Sequence, residues 1–282
     1  MSRSSSAVAV SILLVAAAPE LAAQPDPHEI VRRAVAAYEG QNDQIALRYS
    51  FIEHVDKKDL DTNGRVEKRE IKTHEVFMCD GTPIRRLIAE KGRPLSPEEL
   101  RTNDEGFRKA LEARKKESPK ERAKRIREFE ETRTRYDKAI REIPDAFQFK
   151  LLGEEPVNGR PAWVIEATPR PGYRPIDRYS KLYTQVHGRL WIDRADHQWV
   201  RLEAELLDPI WFGWILVRIG KGAHVKMEQM KVDDVWVPRL LWYTASARVG
   251  LIVTYNVEEE FKYQGYKELG PESVLAGRVR RR

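Results

Sequence analysis

The sequence predicts an α+β protein with one antiparallel β-sheet of roughly eight to eleven strands, an N-terminal helix, and a long charged helical arm inserted between strands. Three observations predict it. Outside a few segments the apolar residues alternate with period two, which is the pattern of a half-buried strand. Short polar turns join one alternating run to the next, as in a meander and unlike the long crossovers of a parallel sheet. The same helix-start grammar then recurs at three places, and only there does the periodicity change.

At those three places a capping oxygen precedes a proline, with a glutamate three residues after the cap: Asp26, Pro27 and Glu29; Ser96, Pro97 and Glu99; Ser118, Pro119 and Glu121. Proline lacks an amide that the first helical turn cannot use, and the cap and the glutamate satisfy its orphan amides reciprocally. The first helix is expected over residues 27–39, with Ile30, Ala34 and Ala37 or Tyr38 inward and Gly40 ending it. The other two starts make a helical arm over 97–143. That arm is charged with both signs and apolar along a narrow stripe, Leu100, Phe107, Leu111, Ile126, Phe129, Tyr136, Ile140 and Ile143. Such a stripe fits either a solvated insertion laid over a sheet or a lid that lifts from a cavity, with Phe107, Leu111, Ile126, Phe129 and Tyr136 as the lid residues.

The first strand is expected to place Ile45, Leu47, Tyr49, Phe51 and Val55 on one face, and Asn63-Gly64 turns it into a second through Ile71, Thr73 and Phe77. Further strands are expected near 147–153, 162–168, 190–193, 199–207, 224–232, 235–249 and 251–263, linked at Asn158-Gly159, 193–197 and Asp233-Asp234.

The first residues have the layout of a secretory leader: Arg3, an apolar run over 7–18, then Ala22 and Ala23. The run is about a dozen residues where a spanning helix needs about 20. The expected organisation is a leader over 1–23, one domain over 24–270 with the arm inside it, and a basic tail over 271–282 that frays in solvent. The expected location is a periplasm-like compartment. The net charge of +6 is dispersed among acids except in the tail, which argues against a nucleic-acid footprint. The single cysteine, Cys79, has no internal disulfide partner and reads as a buried, inert thiol on a strand.

Catalytic grammar is sparse. The chain has no Gly-rich phosphate loop, no nucleophile elbow and no paired histidines at metal-ligand spacing. A pair of His54 and His74 on neighbouring strands lacks a third ligand, and Glu258, Glu259 and Glu260 read as edge or surface charge. No catalytic residue, metal or cofactor is expected. Large apolar side chains are distributed far less evenly, because all seven tryptophans lie in the second half. The segment 209–217 is nearly all apolar and fits either a core strand or the lip of an apolar cavity. Trp163, Trp211, Phe212, Trp214, Trp236 and Trp242 are the candidate lipid-binding residues.

The run Gly159-Arg160-Pro161-Ala162-Trp163-Val164-Ile165-Glu166-Ala167, the run Gly188-Arg189-Leu190-Trp191-Ile192-Asp193 followed by Trp199-Val200-Arg201-Leu202-Glu203, and the pair around Val232 to Pro238 together resemble the LolA/LolB-like superfamily of outer-membrane lipoprotein-sorting proteins. The leader and early amphipathic helix add to the resemblance. It implies a strongly curved antiparallel sheet, an open half-barrel whose concave face is closed by helices over an apolar cavity. It also implies a non-enzymatic carrier or binder of lipid or of lipoprotein acyl chains, in transient contact with membranes. The charged arm and basic tail depart from the shuttle carriers, and leave open a cell-envelope scaffold that binds a protein partner through the arm.

Overall fold

The computed structural model describes residues 24–177, 179–212, 217–249 and 253–269 and, for 40–48, 212, 217, 249 and 253, the backbone alone. The expected leader, the basic tail and Trp214 lie outside the described residues. Helix α1 spans Pro27–Arg48, and strands β1 Tyr49–Leu60, β2 Val66–Cys79, β3 Thr82–Glu90 and β4 Arg93–Pro94 follow. The arm is two helices, α2 Pro97–Lys115 and α3 Pro119–Ala146. Then come β5 Phe147–Val157, β6 Arg160–Pro169, a 3-10 helix Ser180–Thr184, β7 Val186–Asp193 and β8 Trp199–Leu206. The chain continues through β9 Ile210–Phe212, β10 Val217–Ile219, β11 His224–Val232, β12 Val235–Val249 and β13 Val253–Glu268.

All the strands join one antiparallel sheet in the order β4-β3-β2-β1-β13-β12-β11-β8-β7-β6-β5, with β10 pairing β12 and β9 beside it. The path runs from β4 to β5 without closing, so the fold is the open antiparallel α+β architecture that the alternation predicts. Most neighbours are consecutive in sequence. The exceptions are β8 with β11, β10 with β12, and, the longest in sequence, β1 with β13 from Tyr49 opposite Glu268 to Leu60 opposite Asn256.

Both helix starts of the arm form as the sequence requires: Ser96 and Ser118 accept from the amides of Glu99 and Glu121, whose carboxylates bond back to the cap amides. The amide of His28 donates to Asp26 Oδ1 at 3.0 Å at the start of α1. The expected end of α1 at Gly40 is corrected, because the helix runs on to Arg48 and the first strand begins only at Tyr49. A glycine inside a helix costs about 1 kcal/mol relative to alanine. The good helix formers Gln41, Gln44, Ala46, Leu47 and Arg48 follow with no proline, and Ile30, Val31, Ala34 and Val35 are buried ahead of it.

Residues directly opposite in an antiparallel ladder share a face. One row therefore reads Ile165, Leu190, Leu202, Met227, Leu241, Phe261, Val55 and Lys72 across the sheet, and the next reads Ala167, Gly188, Ala204, Val225, Tyr243, Glu259, Lys57 and Glu70. This inner face is apolar from β6 to β12 and turns ionic from β13 to β2 at Glu259, Lys57, Glu70 and Lys72, with Phe261 and Val55 still apolar among them. On the apolar half, α1, the end of α3 and the 3-10 helix pack over Trp163, Ile165, Leu190, Ile192 and Trp199. A second cluster, Val157, Ala162, Val164, Trp191, Val200 and Trp236, lies on the outer face.

The arm wraps the β2–β3 hairpin. Phe77 points to the outer face, and Phe107 of α2 packs on it with ring centroids 6.0 Å apart. Arg114 donates to the carbonyls of Cys79 and Pro83, and Arg125 to the carbonyl of Asp80. Helix α3 then turns past Gly81, whose missing Cβ would sit 3.4 Å from Ile126, and crosses to the inner face. Tyr136 corrects the stripe, because it stands 65% exposed midway along this crossing, where α3 has left one support and not yet reached the other.

Two further expectations are corrected by the register. Glu258, Glu259 and Glu260 lie on a central strand between β1 and β12, where Lys58 holds Glu258 at 2.6 Å and Lys57 approaches Glu259 at 3.6 Å. His54 sits opposite Thr73 and His74 opposite Glu53, so the two histidines face opposite sides of the sheet. Cys79 stands on a strand as expected, at the last position of β2, and is half-buried where full burial is expected.

Candidate functional site

The small side chains of Ala167, Gly188 and Ala204, set side by side on β6, β7 and β8, leave a hollow in the inner face. Above it lies an apolar cavity of about 360 Å³, with Leu190, Leu206, Val225 and Tyr243 as walls. Ala167 and Tyr243 are four strand intervals apart, about 19 Å on a flat sheet. That both line one cavity of this size shows the sheet curling around it. Gly188 is required for the geometry, since a Cβ there would meet the carbonyl oxygen of Glu203 at 2.7 Å and the Cβ of Ala204 at 3.2 Å.

The roof is Ile143 and Phe147 at the end of α3 and the start of β5, with Leu182 and Tyr183 of the 3-10 helix. Each is pinned. The hydroxyl of Tyr183 donates to the carbonyl of Ala139 at 2.6 Å, and burial pushes its pKa up, so it stays a neutral donor. Arg170 donates to the carbonyls of Pro144 at 3.0 Å and Phe147 at 3.1 Å, satisfying acceptors the helix end leaves open. Tyr173 donates to Glu142, and its pKa is pushed up to about 12 by burial and then by that carboxylate. Asp177 accepts from the amides of Tyr179 and Ser180 and so caps the 3-10 turn.

Where apolar gives way to ionic, Tyr243 donates to Glu259. Further along, the buried Glu53 is held by Arg85 at 2.8 Å, with His74 Nδ1 3.8 Å away. Burial holds the His74 pKa below its ordinary value, Arg85 and Lys72 add to this, and Glu53 opposes it. The unfolded chain therefore binds this proton more readily, so stability is full above the ordinary histidine range and falls as the pH drops through it. Urea midpoints at pH values above and below that range should differ less in His74→Gln than in the native sequence; equal differences would remove His74 from the account.

The sequence-predicted residues are spread over both faces. Trp163 is buried under α1, with Arg194 5.7 Å over its ring. Trp236 is buried in the outer-face cluster and donates to Asp196 at 3.0 Å. Trp242 is half-buried on the outer face, edge-on to His224. Trp211 is 55% exposed on β9 with Arg218 over its ring, and Phe212 is described by its backbone alone. Of the lid residues, Phe107 is buried against Phe77, Leu111, Ile126 and Phe129 are half-buried along the arm, and Tyr136 is exposed. The described tryptophans and these five arm residues are absent from the cavity lining, which comes instead from small and branched residues of β6 to β12 and from Ile143, Phe147, Leu182 and Tyr183. Among the described residues no group of three or more His, Cys, Asp or Glu side chains is placed to hold a metal ion.

No family model matches the chain, and no curated protein sequence matches it. Solved structures do. The chain is similar to a domain from Vibrio parahaemolyticus assigned to outer membrane lipoprotein sorting, at 9% identity and TM-score 0.32, over 88% of this chain and 98% of that one. It is similar to a LolA superfamily protein from Nitrosomonas europaea, at 9% identity and TM-score 0.31, over 90% of this chain and 99% of that one. A DUF1329 family protein from Desulfovibrio piger is similar at 10% identity and TM-score 0.30, over 90% and 99%. Among the described residues no helix is long and apolar enough to cross a membrane.

Proposed function

We propose that the chain is exported, loses residues 1–23, and works in a periplasm-like compartment as a non-enzymatic carrier or binder of lipid or of lipoprotein acyl chains. The observation that carries this reading is the 360 Å³ apolar cavity between the curled sheet and its pinned roof. Its size falls in the range of small-molecule sites, and its surface offers almost no polar group to a ligand. Hydrocarbon is the chemistry that gains from such a surface, at about 0.8 kcal/mol for each methylene taken from water. The exposed Trp211 lies on the β9–β10 hairpin, whose Ile219 forms part of the cavity wall, and we assign to it the transient contact with a membrane.

Native mass spectrometry of the protein purified from membranes should find bound lipid, and a fluorescent fatty acid should bind the delipidated protein and be displaced by unlabelled fatty acid. A chain that carries no lipid and takes up none would overturn the reading. Trp211→Ala should leave the melting temperature and the affinity for soluble fatty acid unchanged while lowering association with lipid vesicles.

A further inference from the structure

A second hollow of about 120 Å³ lies beside the first, lined by Tyr38, Ile140, Trp199 and Met227. Ile143 and Leu202 line both hollows, and so they form the wall between them. We propose that the two hollows are chambers of one apolar channel, and that Ile143 sets the length of unbranched hydrocarbon chain the channel accepts. This rests on the reading of the first chamber as an acyl-chain site.

The two sides of the partition are held differently. Leu202 is fixed within β8, paired to Leu190 of β7 on one side and Met227 of β11 on the other. Ile143 hangs from the last turn of α3, one residue before Pro144. Proline has no amide to give to the carbonyl of Ile140, so the helix holds this turn with one bond fewer than a regular turn. Its backbone is held from outside the helix, by Tyr183 at Ala139 and by Arg170 at Pro144, so on the α3 side the partition is the side chain of Ile143 alone. Beyond it Met227 is 43% exposed, which puts the far chamber at the surface and gives a longer chain an end to emerge from.

The test is displacement of a fluorescent fatty acid from the full chain by saturated fatty acids from octanoate to stearate. Each added methylene should strengthen binding about fourfold until the first chamber is full, after which affinity levels off. In Ile143→Ala the levelling should move to longer chains, with the ratio of stearate affinity to octanoate affinity rising at least about tenfold. Ile143→Val, which keeps a branched core residue, should move it the same way by less and serves if the alanine variant does not fold. Adding Met227→Trp, which fills the far chamber from its exposed end, should cancel the rise in that ratio. Levelling at the same chain length in folded Ile143 variants would overturn the proposal, whereas a native chain that binds no member of the series would overturn the acyl-chain reading itself.

Discussion

Ala204→Phe should cut fatty-acid binding at least tenfold while leaving the melting temperature unchanged or raised. Ala204 sits in the cavity floor between Gly188 and Val225, its side chain aimed at the space under Ile143 and Tyr183. A phenyl ring grown from that Cβ occupies volume that is otherwise free, so it adds apolar contact without the strain of overpacking a full core. The separation of the two readouts is the point of the experiment. Unaltered affinity in a folded Ala204→Phe protein, measured by the same fluorescent displacement, would place the ligand elsewhere.

Trp199→Ala should cost about 3 to 5 kcal/mol, as for other buried large aromatics, and lower the melting temperature by about 10 °C. Trp199 is 8% exposed, belongs to the main core, and donates from Nε1 to the carbonyl of Ala34 at 3.0 Å, which ties the sheet to α1. Trp199→Phe keeps most of the ring and loses the hydrogen bond, at about 1 kcal/mol. Chemical denaturation of both variants checks the ranking; equal costs would mean that the bond to α1, and not the packing, dominates.

Local signals were legible in the sequence and long-range register was not. The capping boxes at Ser96 and Ser118 formed where they stand, and the strands expected at 224–232 and 235–249 have those bounds, because caps and alternation are written in neighbouring residues. Strand β3 is absent from the expected strands although Asp80-Gly81 is a hairpin dipeptide; both residues take the positive φ, 47° and 83°, that such a turn needs. The cavity was illegible for a different reason. Ala167, Gly188 and Ala204 are unremarkable where each stands, and become a hollow only when the pairing of β6, β7 and β8 sets them side by side. The tryptophans drew attention as bulk, yet bulk fills space, and a cavity is made where side chains are small.

The pairing of β1 with β13 has a consequence for the order in which the molecule can come together. Lys58 and Glu258, partners across that ladder, are 200 residues apart in sequence. Closing a loop of that length costs about 5 kcal/mol of chain entropy, most of it spent before any contact forms in return. The β1–β3 hairpins and the β5–β12 meander can each assemble from near neighbours, but each then carries an open edge, at β1 and at β12, that only the last strand fills. The sheet can therefore be completed only when β13 enters between β1 and β12, and that one strand sets the ionic half of the inner face beside the apolar half.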